Sequence, residues 1–160
     1  MRLHNLLGIA FLLCAGAASS KAGVFNVTIM DQLANETGYI AFDFLAGSSA
    51  SNNTVVVSNF ATNGMLMSAF PSGGVTGTLV PGPLTLQDGS FFNEWLQGIT
   101  FGTTISFQFS VTENVDAEAI PDNFSFYLLD SQRIPFPTSD SLAGSLFSID
   151  LNGPGSAPQV

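Results

Sequence analysis

The sequence predicts an all-β chain folded as an antiparallel β-sandwich, jelly-roll-like in its connections. Three observations carry that expectation. Apolar and polar residues alternate with period two in one segment after another, most cleanly in TTISFQFSVTEN, residues 103 to 114. There Ile105, Phe107, Phe109 and Val111 share one face, and Thr104, Ser106, Gln108, Ser110 and Thr112 the other. These segments are rich in β-branched and aromatic residues and are bounded by Gly, Pro, Asn or Ser clusters. Helical periodicity is almost absent, and no repeat of 20 to 50 residues argues for a solenoid or propeller.

The first 22 residues read as a secretory leader. Arg2 opens a short basic start, an apolar run extends from Leu6 to about Ala18, and Ser20-Lys21-Ala22 fits a small-x-small cleavage rule, as does Ala15-Gly16-Ala17. The run is too short for a confident membrane span, which needs roughly 20 residues. Cys14 follows Leu12 and Leu13, not a small residue, so it reads as part of the leader's apolar core. Cleavage after Ala22 removes the only His, the only Cys and two of the three bases, leaving Arg133 alone against 12 acids, a net charge of −11.

Strands are then expected in order along a single domain, residues 23 to 152. GVFNVTIM alternates at Phe25, Val27 and Ile29, and TGYIAFDFLAG places Ile40, Phe42 and Phe44 opposite Tyr39, Ala41 and Asp43. NTVVVSNF follows, then the shorter MLMSAF, GTLVPG and PLTLQ. FFNEWLQGITF leads into Gly102-Thr103, a pair suited to a type II′ turn, which predicts a hairpin with the 104–112 strand. The FFNEW portion alternates poorly and is expected to hold a bulge or a helical turn. FSFYLLD and SLFSIDL close the domain, and residues 153 to 160 read as a flexible tail or the start of a linker.

The composition excludes whole classes of function. Without His or Cys after the leader, Ser-His-Asp and Cys-His nucleophiles and imidazole or thiolate metal sites are ruled out. The acidic balance repels nucleic acid and anionic lipid. A carboxylate pair of the glycosidase kind is the one acid–base device left. Trp95, Tyr39 and Tyr127 are candidates for a sugar-stacking platform if they share a wet face, against the plainer reading of Trp95 as a core or rim residue. Glu113, Asp116, Glu118 and Asp122 fall within ten positions and form a candidate calcium loop, against the plainer reading of a solvated acidic loop. Asp130 and Asp150 follow the last apolar residues of strands and read as turn formers. Asn26, Asn35, Asn52 and Asn123 match the glycosylation acceptor rule.

The combination of GYIAFDFLAG, NNTVVVSNFATNG, FFNEWLQGITFGTTISFQFSVTEN, PDNFSFYLLDSQRIPFPTSD and SLFSIDLNG resembles exported bacterial proteins of a PEP-CTERM type. The similarity covers most of residues 23 to 153. It implies a surface- or matrix-associated β-sandwich, and no functional residue is carried over from it. Members end in a Pro-Glu-Pro motif, a membrane-spanning helix and a basic tail, and this sequence ends at GSAPQV where that signal would begin. The resemblance leaves open whether the chain is truncated or released.

The expectation is therefore a secreted, non-enzymatic protein of the cell surface or extracellular matrix. Its alternative is a carbohydrate-binding module, with or without structural calcium, and a carboxylate glycosidase ranks third. No catalytic, cofactor or metal residue is assigned. The expected partners are exopolysaccharide or other matrix components, not nucleic acid, and no segment after the leader is expected to span a membrane.

Overall fold

The computed structural model describes residues 23–30, 32–114, 120–138 and 144–151. The expected leader and tail lie outside the described residues. The described residues form ten strands in two five-stranded antiparallel sheets.

The first sheet runs β1 (Gly23–Met30), β8 (Thr104–Val111), β3 (Thr54–Thr62), β6 (Leu84–Gln87), β5 (Val75–Gly77). The second runs β10 (Phe147–Leu151), β9 (Asp122–Asp130), β2 (Thr37–Leu45), β7 (Phe92–Thr100), β4 (Met65–Ser72). Among the described residues no helix is long and apolar enough to cross a membrane. Consecutive strands alternate between the sheets for most of the chain, as the jelly-roll expectation requires.

Burial follows the period-two pattern. On β8 every second residue from Ile105 to Val111 is buried, and the residues between are half-buried. The inner faces meet in a core dominated by phenylalanine. Phe25 stacks on its register partner Phe109 at 4.9 Å, and Phe42 lies 4.8 Å from its partner Phe126. Phe107 bridges the sheets, with its ring 5.0 Å from Phe126 and 5.1 Å from Phe42. Such pairs add about 0.5–1.5 kcal/mol each beyond the area they bury. No disulfide supports this core, so packing holds it.

Three sequence expectations need correction. Gly102-Thr103 does not close a hairpin: β7 belongs to the second sheet and β8 to the first. The connection is an arch between sheets, beside the parallel arch that takes β3 into β4 at Asn63-Gly64. Asn63 joins the two arches, its Oδ1 accepting from the Thr103 and Thr104 amides at 2.8 and 3.0 Å. A Cβ on Gly102 would lie 2.1 Å from that oxygen and 2.6 Å from the Gly64 nitrogen, so the arches approach this closely only through glycine. Phe101 and Ile105 still both point into the core.

FFNEW contains no helical turn and lies largely within the continuous strand β7. It alternates poorly because β7 is buried on both faces through most of its length. GTLVPG is not a strand. Pro81 and Pro83 lack the N–H donors a ladder needs, and the segment turns from β5 into β6.

One end of the sandwich is closed by a polar lock. Buried Asn53 donates to Asp122 Oδ2 at 2.7 Å and to the Asn114 carbonyl at 3.0 Å, and its own oxygen accepts from Thr112 Oγ1 and the Asn114 amide. Buried Asp88 accepts from the Asn52 and Asn53 amides and the Ser51 hydroxyl. Three loops are thereby tied together by side-chain hydrogen bonds.

Candidate functional site

The inward-facing residues of the second sheet are committed to the core, so any site on it must use the outer face. Register fixes that face row by row. Leu129, Tyr39 and Gly98 lie side by side on β9, β2 and β7; the next row is Tyr127, Ala41, Leu96 and Phe70; the third is Ser125, Asp43, Glu94 and Ser72. Ala41 and Leu96 are only 1% and 3% exposed although they point away from the core. With Leu129 they form a second, separate apolar cluster, against which Tyr39 and Tyr127 pack half-buried. The result is an apolar floor with an aromatic rim.

Gly98 shapes that floor. Beside it Tyr39 on β2 and Phe70 on β4 meet across the intervening strand, ring centroids 6.5 Å apart and edge to face. Phe70 remains 47% exposed. A Cβ at Gly98 would press on Ser68 and Met67 at 3.2 and 3.3 Å.

Arg133 covers the rim. Its guanidinium carbon lies 5.3 Å from the Tyr39 ring centroid and 5.9 Å from that of Phe70, within cation–π range. Arg133 is held in the left-handed region, φ +64°, which L-residues other than Gly, Asn and Asp rarely visit. Asp130 makes the turn possible: its Oδ1 accepts from the Gln132 and Ile134 amides, and its carbonyl from the Arg133 amide. Asp130 is thus the turn former expected. Asp150 is not; it lies within β10, where Asn123 donates to it at 2.7 Å.

The carboxylates Asp43 and Glu94 face each other across β2 and β7. Asp43 Oδ1 is buried with no hydrogen-bond partner. Burial, and secondly the charge of Glu94, push the Asp43 carboxyl up from 3.8 to about 7. Burial also raises Glu94, against the opposing pull of Arg133. Tyr127 is raised by burial, eased by a hydrogen bond with Ser125 and reinforced by the charge of Asp43. Strained backbone, an apolar floor and displaced titrations coincide on one surface, the pattern expected of a functional site.

The expected platform is only partly assembled. Tyr39 and Tyr127 share the outer face, but Trp95 points inward, 7% exposed and part of the main core. That is the core position of its plainer reading, and Phe70 and Arg133 stand beside Tyr39 instead. The calcium expectation is not assembled by the described residues. Asp116 and Glu118 lie outside them, and both oxygens of Asp122 accept hydrogen bonds, from the Gly47 amide and from Asn53. Among the described residues no three His, Cys, Asp or Glu side chains gather to hold a metal ion.

Asp43, Glu94, Phe70 and Arg133 escaped the sequence reading. The signal available was a charged residue in mid-strand, Asp43 between Phe42 and Phe44 and Glu94 between Asn93 and Trp95. No family model matches the chain, and neither does any curated protein or solved structure.

Proposed function

We propose that the chain is an exported, non-enzymatic β-sandwich of the cell surface or extracellular matrix, of PEP-CTERM type, and that it works there as a carbohydrate-binding module. The observation that carries this reading is the outer face of the second sheet: an apolar floor of Ala41 and Leu96 rimmed by Tyr39, Tyr127 and Phe70, with Arg133, Asp43 and Glu94 beside it. Sugar rings offer an apolar C–H face and a fringe of hydroxyls, which this combination complements. Export is supported by the leader pattern, and the lack of covalent chemistry by the absence of His, Cys and Lys after residue 22.

The test is a glycan array with the purified protein, read beside Tyr39→Ala/Phe70→Ala. Binding to one glycan class, lost in the double variant while the circular dichroism spectrum is kept, is the expected result. Uniform silence, or retention by the variant, overturns the reading.

The facing carboxylates favour a second reading, a glycoside hydrolase. Directly opposed residues on antiparallel strands hold their Cβ atoms about 4.5–5.5 Å apart, from which Asp and Glu side chains can reach the carboxyl spacing of about 5–5.5 Å that retaining enzymes use. An acid near 7 suits proton donation to a leaving group. Release of reducing ends from a bound polysaccharide, abolished by Glu94→Gln, would place this reading first.

A further inference from the structure

Resting on the carbohydrate-binding reading, we propose that the outer face of the second sheet takes a neutral glycan, and that Asp43 meets it as an un-ionised carboxylic acid donating a hydrogen bond. The argument starts from what surrounds Asp43. Its flanking residues in the row are Ser125 on β9 and Glu94 on β7. The Ser125 hydroxyl donates to Asn123 Oδ1 at 2.6 Å, so it is committed elsewhere. Asp43 Oδ1 is buried and has no donor. An ionised Asp43 would therefore set a carboxylate oxygen without a hydrogen bond opposite a second carboxylate; a proton on Asp43 removes the repulsion and leaves an unpaired neutral oxygen, which costs far less to bury than a charged one.

The other charged and titratable groups on this face do not change that outcome. Glu94 approaches from β7, Tyr127 from β9 and Tyr39 from β2 itself; β4 contributes only neutral Ser72 to the row. Asp150 on β10 is engaged by the Asn123 amide. Arg133 lies over Tyr39 and Phe70, and the carboxylate it acts on is Glu94. The shift of Asp43 to about 7 agrees with this geometry.

Ligand class follows from the charges. With Asp43 un-ionised, Glu94 and Arg133 cancel, so this patch is locally neutral on a chain of formal charge −9. A uronate or sulfated polymer would meet Glu94 and the field of the whole chain. An amino-sugar polymer would set its ammonium groups against the Arg133 guanidinium. A neutral hexose chain meets neither obstacle. It finds a donor in Asp43, an acceptor in Glu94, guanidinium donors in Arg133, and aromatic edges for its C–H face.

The experiment titrates the purified protein with neutral hexasaccharides (cello-, malto-, manno- and galacto-series), with alginate and with chitosan oligomers, at pH 5.5 and 8.5. Wild type is expected to bind a neutral series at pH 5.5 and to lose at least tenfold in affinity at pH 8.5. Asp43→Asn keeps a neutral donor and is expected to bind equally at both. Flat binding by wild type, loss of binding by Asp43→Asn at pH 5.5, or preference for alginate or chitosan overturns this proposal while leaving the carbohydrate reading in place. No binding by any probe overturns both. Independently of ligand, the carboxyl carbon shift of Asp43 by NMR must report the protonated form at pH 6; an ionised signal there ends the proposal.

Discussion

On the outer face of the first sheet, Gln108 on β8 donates to Asn26 on β1 at 3.0 Å and accepts from Asn59, beside the β3 bulge, at 3.3 Å. Three strands there satisfy one another with amides, and Thr104, Ser106 and Ser110 continue the neutral row. On the outer face of the second sheet, Asp43 keeps an oxygen without a donor, Glu94 confronts it, and Arg133 is spread over two rings. The two faces share a core and a strand geometry, and differ in whether their polar groups are already spent. A face whose side chains pair among themselves has little interaction energy left to give a ligand. A face that leaves charged and polar groups half-buried beside aromatic surface has more, and holds it at a cost in stability.

The bluntest way to break the comparison is through the core the faces share. Phe126→Ala should cost about 3–5 kcal/mol, lowering Tm by roughly 10 °C or more, and should weaken both faces together. Calorimetry checks it; survival of either face alone would mean that the sheets fold independently. Next comes the lock at the end of the sandwich. Asn53→Ala removes the side-chain amide that donates to Asp122 Oδ2 and should cost about 2–4 kcal/mol by urea denaturation, with glycan binding unchanged in the folded fraction.

The pH dependence sharpens the contrast. Asp43 binds its proton more tightly folded than unfolded, so its contribution to stability is fully present below about pH 4. That contribution declines as pH rises towards about 7, and is flat beyond. The upper bound is about 4 kcal/mol, which partial exposure reduces to about half. Asp43→Asn should flatten this slope, measured as the denaturation midpoint from pH 4 to 8. Glu94→Gln should leave part of it, because burial is the larger cause. Arg133→Ala should cost only about 0.5–1 kcal/mol in stability, yet weaken glycan binding measurably by isothermal titration. The smallest effect is expected on the other face: Gln108→Ala should change stability by less than about 1 kcal/mol and binding not at all.

How much of this was legible can be argued from particular residues. Phe107, Phe109 and their alternating partners were readable as a strand because period two is a local property. The arch at Gly102 was misread as a hairpin, because a Gly-Thr pair specifies a turn and says nothing about which sheet the next strand joins. Which face Trp95 takes is not legible from residue type; strand register turns the ring inward to the core, the plainer of its two readings. Arg133 sits in a stretch without periodicity, and only the fold of Asp130 to Ile134 brings it over Tyr39.

The sequence alone determined an all-β sandwich with a phenylalanine core, and left the region after residue 22 without His, Cys or Lys, because alternation and composition are written one residue at a time. Tertiary structure alone decided that Asp43 would stand opposite Glu94 and that Tyr39, Phe70 and Arg133 would meet. Those neighbours are separated by dozens of positions and are joined only by strand register, a property of paired backbones that no single segment contains.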